Sequence, residues 1–146
     1  MVNRKLHPKD FFAKKEKERI VEAIRAAEKQ TSAEIRVYLE NGSKEDSMSR
    51  ARKVFEKLGM TRTKHRNGVL IYFSPKDRVF VILGDRGIHD KVGQSFWQEM
   101  MTKTESLFSK NDFTGGLETL IAQVGARLKE FFPHEARDIN ELPDEV

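Results

Sequence analysis

Asn67–Gly93, NGVLIYFSPKDRVFVILGDRGIHDKVG, holds two fully apolar runs joined by a Ser-Pro-Lys-Asp turn and followed by a corner rich in Gly and Asp. Gly68–Phe73 and Val79–Leu83 are β-branched, aromatic or aliphatic without alternation, the composition of strands covered on both faces. Ser74-Pro75-Lys76-Asp77 supplies the turn chemistry between them. The stretch predicts a hairpin buried in mid-sheet that ends in a polar corner. Because a hairpin folds back, the residues before Val69 lie beside those after Leu83. That sets Arg66 and Asn67 next to Asp85 and Arg86.

Upstream, Ala33–Glu40 alternates, with Ile35, Val37 and Leu39 on one face and Glu34, Arg36 and Tyr38 on a wetter one. Between this strand and Val69, Lys44–Leu58 places Met48, Ala51, Phe55 and Leu58 at helical spacing and stops at Gly59. A strand, a helix and a strand in this order make a right-handed crossover with parallel strands. Thr31–Glu34 then lies at the sheet end that also holds Arg62–Asn67 and Asp85–Asp90. Three further helices are expected. The first spans about Pro8–Gln30, with Ile20, Ile24 and Ala27 on one stripe beside Val21. Another starts near Asp90 and runs toward Phe108, with Val92, Phe96 and Met100 in line and Trp97 and Met101 widening the face. The last spans about Gly115–Phe131, with Leu117, Leu120, Ile121, Val124 and Leu128, opened by Asp112 or Thr114 as a cap. Aromatic and Met stripes at this spacing serve a core. The expected fold is a single-domain α/β sandwich, residues 1–133, with a mixed, mostly parallel sheet flanked by about four helices. An acidic tail, residues 134–146, follows it.

A chain of 146 residues fits one core. With 38% hydrophobic and 34% charged residues it is globular but heavily solvated, and no apolar run approaches the roughly 18 residues of a membrane span. The start, MVNRKLHPKDFF, has no apolar segment typical of a secretory signal, so a soluble, cytoplasmic protein is expected. The absence of Cys excludes disulfides, thiolate zinc sites and cysteine nucleophiles, so any metal would need oxygen or His ligands. The net charge of +4 divides unevenly: residues 134–146 carry five acids against Arg137, leaving +8 for the rest. No nucleic-acid partner is expected, because 23 acids interleave with 27 bases and no aromatic pattern accompanies them. The acidic tail is instead suited to folding over the basic body.

In their order and spacing, TSAEIRVYLE (31–40), the helix ending in LGM, RNGVLIYFSPKDRVFVILGDRGI (66–88) and NDFTGGLETLI (111–121) resemble the TPM domain. That family is named for thylakoid-lumen, photosystem-repair and nematode receptor-modulator proteins, and the resemblance covers about Asp10–Phe131. It implies a mixed sheet flanked by helices. For function it implies two directions: some members carry a divalent-metal site and have been considered acid phosphatases, while others look like interaction or assembly modules. Fold alone does not choose between them. Asp85-Arg86 stands where many members have a Gly-Tyr-Gly corner, and neither the export signal nor the membrane anchor of many relatives is visible. The positions matching the family best are Glu34, Asn67-Gly68, the Gly84–Asp90 corner and Asp112.

Glu34, Asp85 and Asp90 bring three carboxylates toward one sheet end, and hard cations such as Ca2+ and Mg2+ take oxygen ligands. A cation site is therefore expected there, with Arg66, Asn67, Arg86 and His89 around it or holding an anion. Each carboxylate also has a structural reading: Asp90 as the N-cap of the third helix, Asp85 as a turn residue, Glu34 as a partner of Arg36. Thr61–Arg66 offers basic side chains suited to a phosphate or carboxylate, or to plain solvation. Asp85, Asp90 and His89 are eligible as acid or metal-bound water ligands in a phosphatase, but nothing marks a nucleophile. There is no EF-hand spacing, P-loop or nucleophile elbow. The function expected is divalent-cation binding without turnover, a protein or small anion completing the site. A weak metal-dependent phosphatase and a metal-independent interaction module are the alternatives.

Overall fold

The hairpin read from the sequence forms the middle and one edge of a three-stranded sheet in the computed structural model, which describes residues 5–135. The strands are β1 (Glu34–Leu39), β2 (Gly68–Ser74) and β3 (Val79–Gly84). β1 runs parallel to β2, Glu34 pairing with Gly68 and Leu39 with Phe73, and β3 returns antiparallel, Val69 pairing with Gly84. The expected crossover and hairpin are both present, and all of β2 is buried.

Six helices accompany the sheet among the described residues: α1 (Pro8–Phe11), α2 (Lys14–Glu28), α3 (Ser47–Lys57), α4 (Arg86–Val92), α5 (Gln94–Ser109) and α6 (Phe113–Lys129). Alternation along the strands divides the core in two. Ile35, Val37, Val69, Ile71 and Phe73 pack with Ile20, Ile24, Leu117, Leu120, Ile121 and Leu128 from α2 and α6. Leu70, Tyr72 and Val81 face the other way, onto Ala51, Val54 and Phe55 of α3 and onto Met60. Each such burial is worth about 1.5–3 kcal/mol, so strand positions facing either layer are strongly specified.

Two expected helices are each broken in two. Phe12 is extended (φ −103°, ψ 132°), which separates α1 from α2. The break lets both Phe11 and Phe12 enter the core, packed edge to face at 4.9 Å. The second break is at Gly93, whose φ of 83° is a backbone state few L-residues adopt. Asp85 rather than Asp90 caps the helix that follows β3, its side chain accepting from the Arg86 N–H. Of the two caps considered for α6, Asp112 takes the role, accepting from the Gly115 N–H at 3.0 Å. Thr114 instead donates to Glu16 of α2 at 2.6 Å.

After α6 the chain crosses back over the start of β1. Thr31 bridges Pro133, the Ser32 N–H donates to the Phe132 carbonyl at 2.9 Å, and the Thr31 hydroxyl donates to the same oxygen. This strap lies over the sheet end where the candidate residues gather. The acidic tail beyond Glu135 lies outside the described residues. No helix among those described is long and apolar enough to cross a membrane.

Candidate functional site at the start of the parallel strands

Thr31, Ser32, Glu34, Thr63, Asn67 and Asp85 are all buried polar residues, and they meet at one end of the sheet. The register explains the meeting. Glu34 pairs with Gly68, and the Asp85 N–H donates to the Gly68 carbonyl at 2.9 Å, so the two acids flank a residue without a side chain. Asn67 knits the loops together. Its backbone N–H donates to Thr63 Oγ1 at 3.1 Å and its amide donates to Ser32 Oγ at 3.2 Å. Buried polar groups of this kind are costly unless hydrogen-bonded, and these bonds meet that need for the Asn67 donors.

Asp85 is gripped by Arg66. Nε donates to Oδ2 at 2.7 Å and Nη2 to Oδ1 at 2.9 Å, a two-pronged ion pair. The bond to Asp85 raises the Arg66 pKa further above its ordinary value, outweighing desolvation. Oδ1 also accepts the Arg86 N–H at 2.7 Å. Arg66 has a φ of 50°, rare outside glycine. Its carbonyl accepts from the Gly87 N–H at 3.0 Å. A Cβ on Gly87 would lie 2.3 Å from the His65 carbonyl oxygen and 2.6 Å from that of Arg66, so only glycine permits this approach.

The adjacency expected of Arg66, Asn67, Asp85 and Arg86 is thus present. Asp90 and His89 instead stand exposed on α4. A hard cation takes six or more oxygens. Both Asp85 oxygens are engaged by Arg66, and no three His, Cys, Asp or Glu side chains among the described residues are grouped to hold a metal. As arranged, the donors do not fit Ca2+ or Mg2+; Asp85 would first have to exchange Arg66 for the ion.

The surface above this buried row is basic, with Arg62, Lys64, His65, Arg86 and His89 exposed. One carboxylate sits on it. Glu135, from the strap, lies 2.7 Å from His65 Nε2 and 4.0 Å from Lys64 Nζ. The first acid of the tail therefore rests on the segment read as a seat for anions.

A second polar cluster occupies the opposite sheet end. Arg50 of α3 donates through Nε to both Glu40 oxygens at 2.8 and 2.9 Å, and the Tyr72 hydroxyl donates to the same carboxylate. Desolvation by itself would raise the Glu40 pKa, but the bonds from Arg50 and Tyr72 outweigh it and the net direction is down. Desolvation first, and the Glu40 bond second, push the Tyr72 pKa up. Sequence reading missed this triad because Tyr72 lies in an apolar run and reads as core. The available signal was the unpaired-looking Glu40 at the strand end, ten residues before Arg50 on the wet side of a helix.

The TPM domain model matches residues 7–127. Among solved structures the chain is similar to the BA42 protein of the psychrophilic Bizionia argentinensis, determined by NMR. Identity is 43%, 95% of this chain and 96% of that one are covered, and the TM-score is 0.89. It is also similar to the N-terminal domain of the cg2496 protein from Corynebacterium glutamicum, with 16% identity, coverage of 79% and 72%, and a TM-score of 0.63. That second likeness is one of fold. No curated protein matches.

Proposed function

Because the chain belongs to the TPM domain family, where fold alone does not fix activity, we propose that it is a binding module without turnover whose basic sheet end takes carboxylates of an acidic protein segment. The observation behind this reading is Glu135 seated on Lys64 and His65. Asp85 is neutralised by Arg66, and Arg62, Lys64, Arg86 and His89 are exposed, with Glu135 and Asp90 as the acids near them. A cationic surface of this kind steers and selects acidic partners.

The test is a titration of the isotope-labelled chain with oligoglutamate, followed by amide NMR shifts. Shifts at residues 62–66 and 86–89 are expected, weakening with salt and lost in a Lys64→Glu, His65→Glu double variant. Unmoved signals at those residues reject the reading.

A second reading keeps Ca2+ or Mg2+ at Glu34, Asp85 and Asp90. It is favoured by one observation, the two buried acids flanking Gly68. Shifts confined to residues 84–90 on adding either ion, with a higher melting temperature than in EDTA, support it, since a ligand that binds the folded state alone stabilises it. Phosphatase activity is the remaining alternative. Metal-dependent hydrolysis of a chromogenic phosphate ester that disappears in Asp85→Asn would establish turnover.

A further inference from the structure

β3 is an edge strand whose sequence, VFVILG, contains no charge and no proline. Its inner side pairs with β2 from Val79 to Gly84. The 2.9 Å bond from the Asp85 N–H to the Gly68 carbonyl fixes the parity of that ladder. In antiparallel pairs, hydrogen-bonded and non-hydrogen-bonded positions alternate. Leu83, Val81 and Val79 therefore direct their backbone groups toward β2, as Asp85 does, whereas Phe80, Ile82 and Gly84 direct theirs outward. Among the described residues, those outward groups bond to no backbone or side chain; Gly84 is buried beside Trp97 and Ile88, which leaves the outward groups of Phe80 and Ile82 for a partner.

Exposed edges are normally blunted by a charge, a proline or a bulge within the strand. Here the charges stand just outside it: Lys76, Asp77 and Arg78 are exposed at one end, the Asp77 carboxylate turned onto Ser43 and Ser74, and Arg86 at the other. A second copy is the simplest occupant to consider, since an antiparallel edge can pair with itself about a two-fold axis. With the axis at Ile82, Phe80 meets Gly84 of the other copy. That register also brings Arg78, in the turn before β3, to the same end of the pair as Arg86, the first residue of α4, of the other copy. Like charges across a strand pair are destabilising. The same arginines suit a foreign strand with carboxylates at those two places.

We propose that the outer edge of β3 is a strand-addition site for an extended segment of a partner protein, apolar in its middle and acidic at both ends. Backbone pairing with Phe80 and Ile82 supplies affinity, and Arg78 and Arg86 set the preference for acids. The site shares Arg86 with the basic sheet end but does not use Lys64 or His65.

The probe is the synthetic peptide EVTVTVE, added to the labelled full chain while amide hydrogen exchange is followed by NMR. Protection of the Phe80 and Ile82 amides is expected to rise. Each of Arg78→Glu and Arg86→Glu should weaken binding about tenfold, the effect of losing one charge-assisted contact, and the double variant should prefer KVTVTVK. Ile82→Pro, which removes an outward donor without touching the β2 ladder, should abolish binding. Lys64→Glu with His65→Glu should leave it unchanged, which keeps this site distinct from the carboxylate seat. Unaltered exchange at Phe80 and Ile82, or equal protection without peptide in a chain of dimer mass, overturns the proposal.

Discussion

Arg66 holds an uncommon backbone conformation because its side chain is forked on Asp85 and its carbonyl is bound by the Gly87 N–H. Such conformations persist where the surroundings over-determine them. Gly87→Ala forces a methyl group against two backbone oxygens, so a loss of about 3 kcal/mol is expected, in the range of severe backbone substitutions. A urea melt reads it as a lower midpoint. Asp85→Asn preserves size and a competent N-cap, yet loses the charge that Arg66 grips. A cost of about 1.5–3 kcal/mol is expected, as for hydrogen bonds to charged groups. Additional loss of Ca2+ response in the same variant would separate the cation reading from a purely structural fork.

At the level of elements, the strands were legible because their apolar runs and their alternation differ, and the crossover rule then placed Thr31–Glu34 beside Arg66 and Asp85. Helix breaks were not legible. Phe12 and Gly93 sit inside sequences whose apolar spacing continues across them, and packing overrode that spacing. The fork was half legible: topology brought Arg66 beside Asp85, but nothing in a run of basic residues signals a φ of 50°. Nor did Tyr72 announce itself as a hydrogen-bond donor. Through Glu40 and Arg50 it ties β2 and the end of β1 to α3, and this tie has a pH signature. Glu40 has its pKa lowered on folding, so its contribution is present above the ordinary carboxyl value of 4.5 and lost as pH falls through the lowered value. Tyr72 has its pKa raised, so its contribution is present below the ordinary value of 10.0 and lost as pH rises above it. Stability against pH, measured by urea melts, should decline at both limbs. Glu40→Gln should flatten the acid limb and Tyr72→Phe the alkaline one.

For the whole molecule, the two halves of the core share β2, which is buried on both faces. Phe55→Ala on the α3 side and Leu120→Ala on the α6 side should each cost about 2–5 kcal/mol, as buried large-to-small changes do. Both should leave a single transition, with near- and far-ultraviolet circular dichroism melting together. Separate transitions in Phe55→Ala would show the α3 layer to be an independent unit. The pairing of α2 with α6 and the strap over Thr31 and Ser32 join the first large helix to the end of the described chain. During synthesis, which delivers the amino-terminal part first, Ile20 and Ile24 leave the ribosome about a hundred residues ahead of Leu120 and Val124. Their apolar stripe lacks the α6 part of its native cover until that helix emerges. The nascent chain thus passes through a long interval in which α2 is only partly covered, and the core is complete only once α6 has arrived.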